Sequence, residues 1–193
     1  MHKELEHLWY LIDEISNDPS IQNNAIQAAV VAIIYQAESQ GSILYLIERN
    51  AYDGHHSGQM ALPGGKMDAN DANLHETAVR EVFEEIGIQI STDQLSPLTP
   101  QWIHVSNHWV QPFYTIVHEK PIFTLNKREI NCIFEIPISS LTDSTILTFH
   151  ELVILDQKVI SPKYLKNGKE IWGATAIILY QLFIRTKTKI NLD

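Results

Sequence analysis

The sequence predicts an α/β fold in which helices pack on both sides of a mixed β-sheet. Three observations predict it. Short, β-branched apolar runs recur along the chain, as at Ala28–Tyr35, Val110–His118 and Ile130–Ile136. One strongly periodic helical segment, Leu74–Ile86, stands between the early and the late runs. Further helical patterns occupy residues 2–15 and about 174–184, towards the two ends. The 193 residues suit one domain, 1–193, with residues 1–24 as an N-terminal helical extension.

In residues 2–15, Leu5, Leu8, Trp9, Ile12 and Ile15 recur at helical spacing. That amphipathic helix can pack on the core or on a second copy of the chain, which leaves a homodimer open. Residues 17–24, with Pro19, read as a polar loop. Ala28–Tyr35 and Ser42–Glu48 read as buried strands. The polar stretch Arg49–Gly58 breaks the pattern, and the short apolar run Met60–Leu62 leads into Pro63-Gly64-Gly65. A loop, Lys66–Ala72, precedes the helix Leu74–Ile86. Asn73 is its expected N-cap, Glu76 completes a capping box, and Gly87 is the C-terminal stop. Strands are expected at about Trp102–Val105, Val110–His118, Ile130–Ile136, Glu151–Leu155 and Lys158–Ile160, before the last helix.

Composition excludes several functions. The formal net charge of −9 disfavours nucleic acid and anionic membrane surfaces as partners. No run approaches the roughly 20 apolar residues that a membrane span requires. The N-terminus alternates charged and apolar residues and lacks the pattern of a secretory signal, so a cytoplasmic location is expected. Cys132 is the one cysteine, which excludes an internal disulfide and a thiolate metal cluster. It is expected to be a small buried hydrophobe.

The chemistry concentrates on the central helix. At about 100° per residue, Leu74, Ala78, Val79, Val82, Phe83 and Ile86 share one face. Glu81, Glu84 and Glu85 fall on an arc at its edge. Three carboxylates at this spacing repel one another. They also stand near the C-terminal end, where the helix dipole disfavours negative charge. A divalent cation would relieve both penalties, and hard oxygen ligands suit Mg²⁺ or Mn²⁺. The competing explanation is a solvated acidic face screened by salt. Arg80 stands beside these carboxylates, where its planar fork can fix their orientation. The paired glycines upstream allow close backbone approach to a ligand.

The stretch GGKMDANDANLHETAVREVFEEIGI resembles the Nudix box, G-x5-E-x7-R-E-U-x-E-E-x-G-U with U aliphatic. Arg80 to Ile88 match every fixed position of its second half. Asp71 stands where the box has its first Glu, and eight residues rather than seven separate it from Arg80. The resemblance implies a Nudix-type α/β/α sandwich. It also implies a hydrolase that uses Mg²⁺ (or Mn²⁺) to cut a diphosphate bond in a small nucleotide-derived substrate. Glu81, Glu84, Glu85 and the Gly64 carbonyl would hold metal, and Arg80 would orient the carboxylates. The proton of the attacking water would pass to Glu81 or to a carboxylate of a later loop, Glu129. Arg49, Gly64, Gly65 and Lys66 would face the substrate.

Two further segments look like the coenzyme A pyrophosphatase branch. Its upstream pattern, L-L-T-x-R-S-x3-R-x3-G-x3-F-P-G-G, is kept in spacing from Tyr45 to Gly65. Arg49, Gly58 and Pro63-Gly64-Gly65 match; Asn50 replaces the Ser, and Gly54 replaces the second Arg. His55 and His56 are the neighbours that could substitute for that lost cation. Asn126–Ile130 resembles the branch's Asn-x-x-Glu-Val, and Ile171-Trp172-Gly173-Ala174-Thr175-Ala176 its Ile-Trp-Gly-x-Thr-Ala. Trp172 is nonetheless expected in the core, packed against a small-residue helix start. The branch implies cleavage of coenzyme A or acyl-coenzyme A to 3′,5′-ADP and 4′-phosphopantetheine. The alternatives are a Nudix hydrolase of ADP-ribose or NADH, and a catalytically weak Nudix-like ligand-binding module. The intact Arg80, Glu81, Glu84 and Glu85 argue against the last.

Overall fold

A computed structural model describes residues 5–37, 41–50, 59–166 and 168–185. Gly54, His55, His56 and Gly58, which the branch pattern singles out, lie outside the described residues, as do residues 2–4 of the expected first helix. The chain begins with α1 (Glu6–Ser16) and α2 (Pro19–Asn24), then the strands β1 (Ile26–Ala37), β2 (Gly41–Arg49), β3 (Met60–Ala61) and β4 (Gly64–Lys66). Next come α3 (Leu74–Ile86), β5 (Ser96–Pro97), β6 (Gln101–Ile103), β7 (His108–Val117), β8 (Ile130–Pro137) and α4 (Ile138–Leu141). The strands β9 (Leu147–Ile154), β10 (Gln157–Lys166) and β11 (Lys169–Ile171) precede α5 (Gly173–Tyr180).

Residues 17–24 form no plain loop. Asp18 accepts from Ser20 N at 2.8 Å, Pro19 occupies the first helical turn, and α2 follows. Proline tolerates that position because its missing N–H would be unpaired there anyway. The strands β4, β5 and β11 and the one-turn helix α4 are further elements that the hydrophobic pattern does not announce.

The fold class is α/β with a mixed central sheet of order β3-β2-β1-β7-β5. β1 is its spine. It runs parallel to β7 over Ile26–Tyr35 against His108–Val117, and antiparallel to β2 and β4. Its side chains alternate between two cores, as a strand buried on both faces must. Ala29, Val31 and Ile33 meet Ala78, Val82 and Ile86 of α3. Ala32 and Ile34 face Ile178, Leu179 and Leu182 at the other side.

β9, β10 and β11 form a separate antiparallel sheet. The β9–β10 turn has Leu155 and Asp156 both at positive φ, 48° and 62°. Such a turn matches the twist of the flanking strands. Helix α1 packs on this sheet and on α5 of its own chain: Leu8, Trp9 and Ile12 share a core with Val159, Ile177 and Tyr180. The Trp9 and Tyr180 rings stack with centroids 5.9 Å apart. Among the described residues, no helix is long and apolar enough to cross a membrane.

Candidate active site

Helix α3 has the bounds its end signals predict. Asn73 caps it by accepting from His75 N at 3.0 Å and Glu76 N at 3.1 Å. Glu76 reaches back one residue further than a capping box requires, to Ala72 N at 2.9 Å. Gly87 ends it at φ 74°. The last turn of any helix leaves carbonyls unpaired. Here Thr124 N donates to Ile86 O and Asn126 N to Glu85 O, both at 2.9 Å. Those bonds bring the Asn126–Glu129 turn beside the carboxylates.

Two positions depart from the helical-wheel expectation. Phe83 is exposed, whereas Glu85 is 1% exposed. Glu85 is buried because β4 offers it a partner: Gly64 N donates to its Oε2 at 2.8 Å. Gly64 has φ +144°, and a Cβ there would stand 2.1 Å from the Ala29 carbonyl oxygen. Only glycine permits that close approach. Oε1 of Glu85 lies 3.0 Å from Arg49 Nη2. The contact is an ion pair off the N–H direction, so Oε1 is buried without a hydrogen-bond donor. Burial pushes the Glu85 carboxyl up to about 7; Arg49 and the Gly64 N–H oppose the rise, and Glu81 and Glu129 add to it.

Glu81 presses on the neighbouring glycine. A Cβ on Gly65 would sit 2.5 Å from both carboxylate oxygens of Glu81. Burial, assisted by Glu84, raises the Glu81 carboxyl above the usual range, against the pull of Arg80 and Arg49. Gly65→Ala should therefore displace a flexible side-chain tip rather than backbone. The expected result is a fall in kcat of roughly 10–100-fold with an unchanged melting temperature, read by kinetics and thermal denaturation.

Arg80 organises the rest. Nε and Nη2 fork onto Asp71 at 2.9 and 2.8 Å, and Nη2 also donates to the Lys66 carbonyl at 3.0 Å. Nη1 donates to Glu81 and Glu84, each at 3.0 Å. All five guanidinium N–H donors are thus in use. Asp71 also accepts from Thr77 Oγ1 and Asp68 N, both at 2.9 Å. Arg80 and these donors hold its carboxyl well below the usual carboxylate range. The extra residue before Arg80 does not prevent the fork. Asp71 is the anchor of Arg80, a role its place in the box could have signalled.

The remaining expected residues divide. Glu129 is exposed; its carboxylate accepts from Asn126 Nδ2 at 3.0 Å, and its carbonyl accepts from Asn50 N at 2.8 Å. The Lys66 side chain is exposed. Arg49, expected to face substrate, donates to the Gly64 carbonyl at 2.6 Å and pairs with Glu85. Cys132 is half-buried rather than buried, and its thiol donates to Glu48 at 3.3 Å. Glu48 is buried and pairs with Lys169 and Asn131, a cluster the sequence pattern does not reveal.

Trp172 corrects another expectation. It is 44% exposed and lines a cavity of about 500 Å³. Arg49, Ala61 and Leu62 line one part of that cavity, and Gly173, Ala174 and Thr175 of the α5 start line another. The cavity is mostly apolar with a few polar groups, the usual character of a small-molecule site. A more open hollow of about 650 Å³ lies between α1, α2 and the β9–β10 turn, lined by none of these catalytic candidates.

As they stand, the described His, Cys, Asp and Glu side chains include no group of three gathered for a metal. Arginines hold the carboxylates instead. The donor set nonetheless fits a hard divalent cation: three carboxylates, a nearby peptide carbonyl, and one buried carboxylate oxygen without a hydrogen-bond donor.

Residues 25–154 match the family model described as the NUDIX domain. A protein of Yersinia enterocolitica serotype O:8 named as an uncharacterized Nudix hydrolase NudL is 34% identical over 170 residues, covering 84% of this chain and 83% of its own length. Its namesake in Escherichia coli is 29% identical over 168 residues, covering 86% and 85%. Among solved structures, a MutT/nudix family protein from Enterococcus faecalis aligns with a TM-score of 0.55 at 17% identity, covering 95% of this chain and 68% of that one. The NUDIX domain of Shewanella oneidensis NrtR, solved with ADP ribose, aligns with a TM-score of 0.52 at 14% identity, covering 67% and 84%. At those identities the two structures bear on the fold alone.

Proposed function

The chain belongs to the NUDIX family and is a Nudix hydrolase of a diphosphate substrate; from that premise we propose that it cleaves coenzyme A or acyl-coenzyme A to 3′,5′-ADP and 4′-phosphopantetheine or its acyl form. The observation that carries the finer reading is the cavity beside Arg49. The segment Trp172-Gly173-Ala174-Thr175, which resembles the coenzyme A branch, lines it together with Arg49, which contacts Glu85 and the Gly64 carbonyl. A mostly apolar cavity of this size suits the long pantetheine arm better than a second sugar–base unit, whose many polar edges would each need a partner.

In this reading Glu81, Glu84, Glu85 and the Gly64 carbonyl hold Mg²⁺ or Mn²⁺. The bound ions supply neutralisation of charge on the diphosphate and acidify water. Arg80, anchored by Asp71, sets the directions of Glu81 and Glu84. Glu81 takes the proton of the attacking water. The water oxygen bonds to one phosphorus, the bridging P–O bond breaks, and its electron pair leaves on the other phosphate. Glu129 lies in the turn opposite and is the second candidate for the proton. Gly64, Gly65 and Lys66 present the loop to the diphosphate.

The test is turnover of coenzyme A, acyl-coenzyme A, ADP-ribose and NADH with Mg²⁺ or Mn²⁺, products identified by mass. Coenzyme A or its thioesters should have the highest kcat/KM and give 3′,5′-ADP. Faster turnover of ADP-ribose or NADH would overturn the branch assignment. No turnover of any diphosphate would favour the ligand-binding reading.

A further inference from the structure

Two arginines stand among the candidate metal ligands, and they are held differently. Every donor of Arg80 is engaged, and Asp71 and the Lys66 carbonyl anchor it from outside the carboxylate arc. Among the described residues, Arg49 has no such anchor. Among the described residues, its guanidinium contacts are the Gly64 carbonyl at 2.6 Å and Glu85 Oε1 at 3.0 Å, both from Nη2. Those two oxygens belong to the set assigned above to a divalent cation. The Arg49 side chain is a quarter exposed, and the residue also lines the cavity.

A buried carboxylate needs a cation nearby. Glu85 is 1% exposed, and among the described residues its Oε1 has no hydrogen-bond donor and Arg49 supplies the one close positive charge on that oxygen. A divalent ion on the same oxygens would repel the guanidinium, and the two cannot share the position. Arg80 cannot yield without breaking its fork to Asp71; Arg49 can, because the cavity is open to it.

We infer that Arg49 is an exchangeable counter-ion: it holds Glu85 and the Gly64 carbonyl before metal arrives, and metal binding turns it into the cavity to pair with a phosphate oxygen of the substrate. This rests on the metal-dependent diphosphatase reading above. It makes Arg49 a positioning and substrate-binding residue whose two roles occur in sequence, metal first and diphosphate second. Linkage fixes the signs. Whatever competes with metal for Glu85 weakens metal binding, and its removal must strengthen it.

The test is Mn²⁺ affinity without substrate, by electron paramagnetic resonance, for the wild type, Arg49→Met and Arg49→Lys. Arg49→Met should bind Mn²⁺ roughly tenfold more tightly than the wild type, a coupling of ordinary size. It should also raise KM for the diphosphate substrate roughly tenfold, the loss of one charge-assisted bond. Arg49→Lys should fall between the two in both measurements. A purely structural arginine would lose metal affinity and substrate affinity together. Equal or weaker Mn²⁺ binding by a folded Arg49→Met overturns the inference. The wild type gives an independent reading should that variant misfold. The Arg49 Nε–Hε resonance should move on titration with Mg²⁺ alone, and a resonance that stays in place while Mg²⁺ binds overturns it equally. Absence of any Mn²⁺ binding by the wild type would defeat the metal-dependent reading itself, and this inference with it. Metal binding with diphosphate turnover but unmoved Arg49 readouts would defeat the exchange alone.

Discussion

Replacing Glu85 with glutamine should lower kcat for diphosphate hydrolysis about 10³-fold and leave the protein folded. The amide is nearly the same size, and its oxygen can still accept the Gly64 N–H that holds Glu85 Oε2 at 2.8 Å. What it loses is the negative charge. Burial already pushes that carboxyl up to about 7, so the fold disfavours the charged form. A neutral side chain there should leave the melting temperature equal or higher, measured without metal. Arg49 loses its ion pair, but it is partly exposed and can turn to solvent. Lost activity with retained or raised stability is the signature of a residue kept for charge rather than for packing. Glu81→Gln should move kcat in the same direction. Steady-state kinetics and thermal melting check both, and unchanged kcat in either variant would remove that residue from the site.

Gly64→Ala should have the opposite character: a large loss of stability, with activity lost as a consequence. Its φ of +144° disfavours any side chain, and the new Cβ would meet the Ala29 carbonyl oxygen at 2.1 Å. The carbonyl oxygen is backbone, and the Cβ would be fixed rigidly to backbone in the same β1–β4 pairing, so neither can move cheaply. Strained backbone and overpacking together predict a loss of about 3 kcal/mol, or roughly 10 °C in Tm for a chain of this size. The neighbouring Gly65→Ala meets only the tip of Glu81 and should spare the fold. Chemical denaturation of the two variants separates the glycine that shapes the loop from the one that makes room for a carboxylate. Similar stability losses in both would contradict this division.

What the sequence reveals here follows the range of the interactions involved. Helix α3 is legible to the residue because its stop signals are local: Asn73 caps its own helix, and Gly87 supplies the left-handed turn. The long strands are legible because β1 and β2 are buried on both faces and read as apolar runs. The short strands β4, β5 and β11 are too brief to carry a period, and their partners lie far away in sequence.

The site divides in the same way. The placing of Glu81, Glu84 and Arg80 follows from helical spacing. The burial of Glu85 does not, because an N–H from β4 makes that burial tolerable. The same holds for Arg49, whose partners Gly64 and Glu85 come from two other elements. A tryptophan beside a small-residue helix start reads as core, but Trp172 lines the cavity that residues of β6, β9 and the start of α5 share.

The proposed chemistry requires the oxygens of Glu81, Glu84, Glu85 and Gly64 to assemble around a divalent ion. Anomalous diffraction from crystals grown with Mn²⁺ tests it most directly. An anomalous peak should stand in contact with the Glu85 carboxylate and the Gly64 carbonyl, with Arg49 withdrawn from both. Full binding of Mn²⁺ elsewhere, with Arg49 still seated on Glu85, would contradict it.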